Sequence, residues 1–420
     1  MSEGLSDRRE RLLGPRMTSF YDEPVHIVRG QGSKLWDADG REFLDCYNNV
    51  PHVGHCHPRV VEAICKQAAT LNTHTRYLHE GIVEYAEALT GTFADPLRSA
   101  LFTCTGSEAN DIALRMAHGV TGHKGVIATD HTYHGNTMAV SQLSRTNPPP
   151  DQWDNVAFVP APDSYRPVSG EEWAAHVKRA IAELEERRHG LSALIICPYF
   201  ANEGFPDLEE GWLAPAIRAV REVGGLVIAD EVQPGFGRLG THFWGHQKAG
   251  ISPDIVTMGK PMANGHPVAG VVTRREIMES FRGTFRYFNT FGGNPVSMAA
   301  AQATLDVIRE EGLQENAAEV GDYAREGLRQ LASRHDCIGD VRGSGLFFGA
   351  ELVLDRAAKT PATDYTKRIA NAVKDKGVLM NFLGVHYNVL KIRPPMCFSR
   401  ADADRMLHAV DEALGEVPLD

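Results

Sequence analysis

The sequence lacks long apolar runs and an excess of basic charge. No uninterrupted apolar stretch reaches the roughly 18 residues needed to cross a membrane, and the charged N-terminal segment MSEGLSDRRERLLGPRM has no apolar core. We therefore expect neither a membrane span nor a signal peptide. Acidic side chains outnumber basic ones by 54 to 43, which leaves a net charge of -11. With no basic stripe that carries interleaved aromatics, this composition argues against nucleic acid as a partner.

Cysteine is scarce as well. The seven cysteines are odd in number, and no two of them form a CxxC pair. This pattern predicts a reduced, cytoplasmic protein without a structural zinc site, and we expect no metal. The length of 420 residues and the hydrophobic fraction of 43% are enough for one large domain and a smaller one.

Strand-like and helical patterns alternate through the middle of the chain. Strand-like runs lie at 99–105, 125–130, 192–198, 225–230 and 254–259, and helical patterns lie between them. The alternation predicts an α/β fold with a mainly parallel sheet and helices on both faces. Such sheets bind ligands at the carboxyl ends of their strands.

Both ends of the chain are predicted to build a smaller α+β domain. We place its N-terminal part at 1–65, the large domain at 66–315 and the C-terminal part of the small domain at 316–420. A tight turn is expected at Asp37 to Gly40. The proline-rich segment RTNPPPDQWDNVAFVPAPDSYRP predicts a long surface loop.

Three polar features stand at predicted strand ends. Gly106 and Ser107 begin a helix, where free N–H groups and the helix dipole favour a phosphate, although an ordinary N-cap is the favoured explanation of these residues taken alone. Asp230 closes an apolar run and could cap the next segment or face a protonated ring nitrogen. Lys260 follows another apolar run and must either reach water or take part in chemistry.

Taken together, the three features are what a pyridoxal 5'-phosphate (PLP) site requires. Lys260 would form the imine with the cofactor, Asp230 would keep the pyridine nitrogen protonated so that the ring accepts electrons, and the helix start would anchor the phosphate. The conjunction outweighs the simpler explanation that each feature has alone.

Five motifs then identify a family. TGSEAN, HTYHG, IADEVQPGFGR, MGKPMANGHP and NTFGGNP, in this order, resemble the class III aminotransferases, PLP enzymes of aminotransferase fold type I, over nearly the whole chain. The resemblance implies a homodimer with active sites at the subunit interface, and leaves open whether dimers pair further. It implies Lys260 and Asp230 as the catalytic residues. It also implies a set of cofactor-binding residues: Gly106, Ser107, Tyr133, His134, Asp230, Val232, Gln233, Lys260 and Thr290.

Within that set the resemblance implies distinct roles. Tyr133 would stack on the cofactor ring and Val232 would pack on its other face. Gln233 would lie near the phenolic oxygen of the ring. Thr290 would reach the phosphate of the cofactor in the neighbouring subunit, and His134 would shape the surroundings of the cofactor without a catalytic role.

Further stretches resemble one branch of the family. HVGHCHPRVV, LNTHTRYLH, HFWGHQKAG and LKIRPPMCFS are similar to the ethanolamine-phosphate phospho-lyases, a branch that also contains hydroxylysine-phosphate lyases. The resemblance implies elimination of phosphate from ethanolamine phosphate, with acetaldehyde, ammonia and inorganic phosphate as products. Lys260 would remove the proton, and phosphate would leave the neighbouring carbon. A longer phosphorylated amine stays open as the substrate.

Two departures from the aminotransferase pattern favour this branch. Cys197 stands where many class III aminotransferases carry a glutamate, and Lys391 stands where they carry the arginine that this glutamate masks. Loss of both partners argues against a site that alternates between amino acids and keto acids of different charge. A class III omega-aminotransferase or an alanine-glyoxylate transaminase remains the alternative, and a catalytically silent PLP-binding protein is a distant third.

The substrate phosphate needs at least one cation and several N–H donors. Arg76 is the first candidate because its planar guanidinium binds phosphate at two points. Tyr47, Asn48 and Lys391 are further candidates. For Arg76 a surface ion pair is an equally simple explanation, and Lys391 could instead lie far from the cofactor.

Overall fold

Helices and strands alternate through most of the computed structural model, which describes residues 4–15 and 19–419. The helices are α1 (Leu5–Leu13), α2 (Pro58–Thr70), α3 (Glu80–Thr90), α4 (Gly106–Thr121), α5 (Met138–Ser141), α6 (Gly170–Glu186), α7 (Ala214–Glu222), α8 (Gly245–Lys248), α9 (Arg275–Thr284), α10 (Pro295–Glu310), α11 (Leu313–Ala332), α12 (Thr363–Asp375) and α13 (Arg400–Glu416), with a 3-10 helix at Lys260–Ala263. The strands are β1 (Ile27–Gln31), β2 (Lys34–Asp37), β3 (Glu42–Asp45), β4 (Leu97–Thr103), β5 (Gly125–Thr129), β6 (Val156–Val159), β7 (Leu191–Ile196), β8 (Leu226–Asp230), β9 (Ile255–Met258), β10 (Ala269–Arg274), β11 (Ile338–Ser344), β12 (Phe347–Asp355), β13 (Thr360–Pro361), β14 (Val378–Leu379), β15 (Asn381–Leu383) and β16 (Val389–Ile392).

The large sheet has the order β4-β10-β9-β8-β7-β5-β6. The five predicted strands all lie in it, and β5, β6, β7, β8 and β9 pair in parallel with one another. β10, which the sequence pattern did not predict, pairs antiparallel with both β4 and β9. The prediction of an α/β fold with a mainly parallel sheet is confirmed.

The proline-rich segment is not entirely a loop, so that prediction was wrong in part. β6 lies within it and forms an edge of the large sheet. The strand was missed because only four residues, VAFV, carry the apolar pattern between prolines and polar residues. The intrinsic strand propensity of four residues is a weak signal, whereas pairing with β5 holds these residues in a strand.

Residues from both ends of the chain meet in a second sheet, of order β1-β2-β3-β14. The predicted tight turn connects β2 to β3, with Gly40 at a φ of 85°. Leu44 and Asp45 of β3 pair in parallel with Val378 and Leu379 of β14. A third sheet, β11-β12-β16-β15, completes the smaller α+β part. The residue limits that we place near 65 and 315 stay predictions.

The helices beside the large sheet are fixed by local signals and by burial. Thr105 caps α4 by accepting the Glu108 N–H, and the Glu108 carboxylate accepts the Thr105 N–H in return. Helices α4 and α9 pack on one face of the sheet, and α6 and α7 cover the other. Every residue of β7 and β8 is therefore buried. Among the described residues, no helix is long and apolar enough to cross a membrane.

Candidate active site

The carboxyl ends of β5, β7, β8 and β9 open into one cavity of about 320 Å³. Parallel strands place their C-terminal residues at the same edge of the sheet, so residues far apart in sequence meet there. Eight of the nine predicted cofactor-binding residues line this cavity: Gly106, Ser107, Tyr133, His134, Asp230, Val232, Gln233 and Lys260.

Asp230, the last residue of β8, forms one wall of the cavity. Its Oδ2 accepts hydrogen bonds from His134 Nδ1 at 2.7 Å and Asn110 Nδ2 at 2.9 Å, and its Oδ1 accepts the Val232 N–H at 3.0 Å. Burial acts to raise the pKa of Asp230, but the hydrogen bonds and the charge of His134 hold it below its ordinary value. The carboxylate therefore stays ionised, as a partner for a protonated ring nitrogen must.

Gly106 and Ser107 open helix α4, which has 16 residues. Ser107 Oγ accepts the Asn136 N–H at 3.2 Å, so two chain segments meet at the helix start. A Cβ on Gly106 would lie 3.0 Å from Val232, and a Cβ on Gly135 would lie 2.4 Å from Ser107 Oγ. Backbone N–H groups at this helix start thus face a space that glycine keeps open, which suits a phosphate.

Lys260 follows β9 and begins the 3-10 helix, from which its amine reaches the cavity. Burial, reinforced by the charge of Arg393, lowers the pKa of Lys260 to about 8. A lower pKa makes the unprotonated amine, which a nucleophile and a proton acceptor both need, more abundant near neutral pH than for an ordinary lysine. Gly265, at a φ of 101°, continues the loop along the cavity.

Gln233 forms another part of the lining, the Gln233 wall, and connects the cavity to two buried cations. Its Oε1 accepts hydrogen bonds from Lys391 Nζ at 3.2 Å and from the Arg393 guanidinium. Lys391 also donates to the Ala201 carbonyl at 3.4 Å, and Arg393 Nε donates to the Tyr47 carbonyl at 3.0 Å. Every described hydrogen bond of the two cations thus ends on a neutral oxygen.

The remaining predicted residues lie outside the cavity lining. Tyr47 and Asn48 are half-buried, and Lys391 stands behind Gln233. Arg76 is exposed and its guanidinium lies 4.0 Å from the ring centroid of Phe288. Thr290 follows in the same exposed segment, so Arg76 and Thr290 share one surface.

Sequence reasoning assigned no role to Arg393, Asn110, Asn202 or Glu203. Asn110 donates to Asp230, while Asn202 and Glu203 line the cavity. A usable signal existed for Arg393. It lies two residues after Lys391 at the end of a buried strand, so both side chains point to one side of the sheet. Two buried cations on one side of a strand require an explanation.

Comparison with known proteins gave consistent results. The model of the family "Aminotransferase class-III" matches residues 18–414. A Drosophila melanogaster protein named alanine-glyoxylate aminotransferase 2-like is 42% identical, over 97% of this chain and 86% of its own. A Caenorhabditis elegans protein named ethanolamine-phosphate phospho-lyase homolog 1 is 39% identical, over 98% of this chain and 93% of its own.

Solved structures agree with these matches. A phospholyase from Arthrobacter, solved in complex with phosphoethanolamine, superposes with a TM-score of 0.94 at 42% identity and covers 99% of this chain and 100% of its own. The comparisons confirm the predicted fold and the predicted cofactor. The cavity offers each group that PLP needs, namely an amine, a buried carboxylate and a helix start open to phosphate.

Proposed function

The chain belongs to the class III aminotransferases, a PLP-dependent family, and we propose that it is a carbon-oxygen lyase that acts on ethanolamine phosphate. With one water molecule, the products would be acetaldehyde, ammonia and inorganic phosphate. The names of the C. elegans relative and of the Arthrobacter structure support this choice. We propose for this chain the phospho-lyase activity that these two names carry.

The observation that carries the proposal is the pair of cations behind Gln233. Lys391 is 4% exposed and Arg393 is 5% exposed, and neither contacts a carboxylate among the described residues. A phosphate monoester carries a charge of about -1.5 to -2 near neutral pH, which matches two cations. A neutral amine or a monocarboxylate would leave part of this buried charge uncompensated.

The pKa of Lys391 supports the same assignment. Burial, with the charges of Arg393 and Lys260, lowers this pKa well below its ordinary value. An arriving dianion would favour the protonated amine and raise the pKa again. Asn49 adds a buried side-chain nitrogen that has no hydrogen-bond partner in the described part of the chain. Its neighbour Val50 lines the cavity, so Tyr47, Asn48 and Asn49 would supply further donors.

The roles of the residues follow from their positions. PLP, when bound, supplies an electron sink. Asp230 would hold a proton on the ring nitrogen, and Gly106 and Ser107 would bind the cofactor phosphate. The Lys260 amine would take the proton from the carbon that bears the substrate nitrogen. Lys391 would hold the leaving phosphate while the carbon-oxygen bond breaks.

The other cofactor residues would fix the ring and its phosphate. Tyr133 and Val232 would pack on the two faces of the ring, Gln233 would donate to its phenolic oxygen, and His134 would orient Asp230. We propose a homodimer in which Thr290 of each subunit reaches the cofactor phosphate of the other. Arg76 lies on the same exposed surface as Thr290 and would approach the substrate phosphate across that interface.

A transaminase is the second candidate. It is favoured by the name of the 42% identical Drosophila relative. The two reactions would share Lys260 and Asp230, and they differ in whether a leaving group on the next carbon is held and released. The charge of the Gln233 wall favours elimination.

The two candidates differ in their need for a keto acid. The purified holoenzyme is incubated with ethanolamine phosphate and no keto acid, and phosphate and acetaldehyde are measured over many turnovers. A phospho-lyase releases both continuously in equal amounts. A reaction that stops after one equivalent per active site would overturn the lyase proposal, and renewed turnover on addition of glyoxylate or pyruvate would establish the transaminase. Lys260→Ala is the control, because any phosphate or acetaldehyde that this variant releases does not depend on the candidate active site.

A further inference from the structure

The side-chain amide of Gln233 is held at both ends. Its oxygen accepts from Lys391 and Arg393, and its Nε2 donates to Asn202 Oδ1 at 3.2 Å. A primary amide has two N–H donors, and Asn202 uses one of them. No other acceptor contacts this nitrogen among the residues that the structure describes. Because Gln233 lines the cavity, its second N–H is available to a ligand there.

Asn202 is presented by a strained loop. Phe200 and Phe205 have φ values of 49° and 41°, in a region that bulky residues rarely adopt, and both rings are buried. The Asn202 N–H donates to Glu203 Oε2 at 3.0 Å, and the Asn202 carbonyl accepts the Gly384 N–H at 3.3 Å. Backbone strain of this kind persists where the surroundings hold it and is typical of functional sites.

The charges of Lys391 and Arg393 make the Gln233 amide a stronger hydrogen-bond donor. Hydrogen bonds to charged donors draw electron density toward the amide oxygen, and linked hydrogen bonds polarise one another in a buried site. The remaining N–H of Gln233 is therefore a stronger donor than that of an isolated amide. A phenolic oxygen that accepts a hydrogen bond from this N–H would form a weaker hydrogen bond with a neighbouring imine proton.

We propose that Asn202, Lys391 and Arg393 are positioning residues that aim and polarise the free N–H of Gln233 toward the phenolic oxygen of bound PLP, and so make the proton of the Lys260 imine more acidic. The inference rests on the cofactor and on the role proposed for Gln233, and not on the choice between elimination and amino transfer. Failure of the phospho-lyase proposal would therefore leave it intact.

The test is a titration of the bound cofactor. The absorbance of the holoenzyme is followed against pH without substrate, and its midpoint reports the imine proton. Besides Lys260, the titratable groups that face the same cavity are Asp230, His134, Glu203, Cys197, His266, Tyr133 and Cys104. Asn202→Ala changes none of these groups and alters no charge. We expect it to raise the midpoint by roughly half to one pH unit, as loss of one oriented donor should.

Lys391→Met removes a charge as well as a donor, so it is tested in a double-mutant cycle with Gln233→Leu. We expect Lys391→Met alone to raise the midpoint by about one unit or more, and to have less than half of that effect when Gln233 is already Leu. Lys376→Met is the control, because Lys376 pairs with Glu412 and Glu416 on the surface and should leave the midpoint unchanged.

Two results would overturn the proposal. One is an unchanged midpoint in Asn202→Ala. The other is a Lys391→Met shift of full size in the Gln233→Leu background, which would show a direct effect of charge. If Asn202→Ala does not fold, Asn202→Leu preserves the side-chain shape without the acceptor and takes its place. Cofactor content and the circular dichroism spectrum are measured for each variant before titration.

Discussion

On one wall of the cavity the Asp230 carboxylate accepts hydrogen bonds from His134, Asn110 and the Val232 N–H, whereas on the other wall Lys391 and Arg393 both donate to the neutral Gln233. The first wall is an anion surrounded by donors. The second is a pair of cations that share one neutral acceptor and, within the described part of the chain, contact no anion.

The protein itself satisfies the charge of Asp230, whereas it leaves the charges of Lys391 and Arg393 for a bound ligand to compensate. A buried charge is stable when donors or an opposite charge satisfy it, and it is costly otherwise. The Asp230 wall therefore suits a cofactor that stays bound through each cycle. The Gln233 wall favours an anion that arrives and leaves, which is the behaviour expected of a phosphorylated substrate and its product.

The largest expected effect comes from breaking the Asp230 wall. Asp230→Asn keeps the side-chain shape but removes the charge that would hold the ring nitrogen protonated. We expect the rate of the cofactor absorbance change after addition of an amine to fall by about 100- to 1000-fold. Asp207→Asn, at an exposed position, is the control. A rate within threefold of the wild type would refute the role of Asp230.

A substitution in the Gln233 wall should weaken substrate binding but raise the stability of the protein. Lys391→Met removes a buried cation that lacks an anionic partner, so we expect the free energy of unfolding of the apoenzyme to rise by about 1 kcal/mol. The KM for ethanolamine phosphate should rise about tenfold or more, with little change for unphosphorylated amines. Urea unfolding and initial rates measure the two quantities. A loss of both stability and affinity would instead indicate a packing role.

Lys260 lines the same cavity and should make apoenzyme stability depend on pH. Its pKa in the folded state is about 8 and its ordinary value is 10.5. Between these values the unfolded chain binds the proton and the folded chain does not, so this group makes stability rise with pH there. The cost of burying the charged amine is fully present below about pH 8.

Lys260→Met removes that cost. We expect the variant to melt at a higher temperature than the wild-type apoenzyme at about pH 7, and the gap to narrow as the pH rises from 8 toward 10.5. Thermal unfolding of both apoproteins across this range measures the gap. A difference in melting temperature that is the same at all pH values would mean that the titration of Lys260 does not contribute to the pH dependence of stability.

The smallest effect is expected at Arg76, a cation outside the cavity. Arg76→Ala should raise the KM for ethanolamine phosphate by about threefold, since an exposed cation in high dielectric contributes little. The KM for a neutral amine should stay the same. Equal changes for both substrates would remove Arg76 from the phosphate role, and an effect as large as that of Lys391→Met would move the substrate phosphate toward the surface that carries Arg76.

Local patterns explain why most of the fold and the Asp230 wall were predictable. Asp230 and Lys260 each follow a buried strand, and Gly106 follows a strand and begins a helix, so short stretches of sequence place them at one edge of the sheet. β6 and β10 were missed because short strands take their identity from pairing partners rather than from their own residues.

The Gln233 wall could not be predicted in the same way. Gln233 lies 158 residues from Lys391 and 160 residues from Arg393, and their hydrogen bonds join the large sheet to the third sheet. Lys391 and Gln233 were each identified by their place in a motif, but Arg393 and the hydrogen bonds that join the three residues were not. Asn202 depends on a loop conformation with positive φ at phenylalanine, which propensity does not predict.

The sequence by itself determined the family, the parallel sheet, and the lysine, aspartate and helix start of the candidate cofactor site, because each depends on a few consecutive residues. The tertiary structure alone decided which charges in the cavity are compensated. That property depends on contacts between distant segments and on burial, and no local pattern records either.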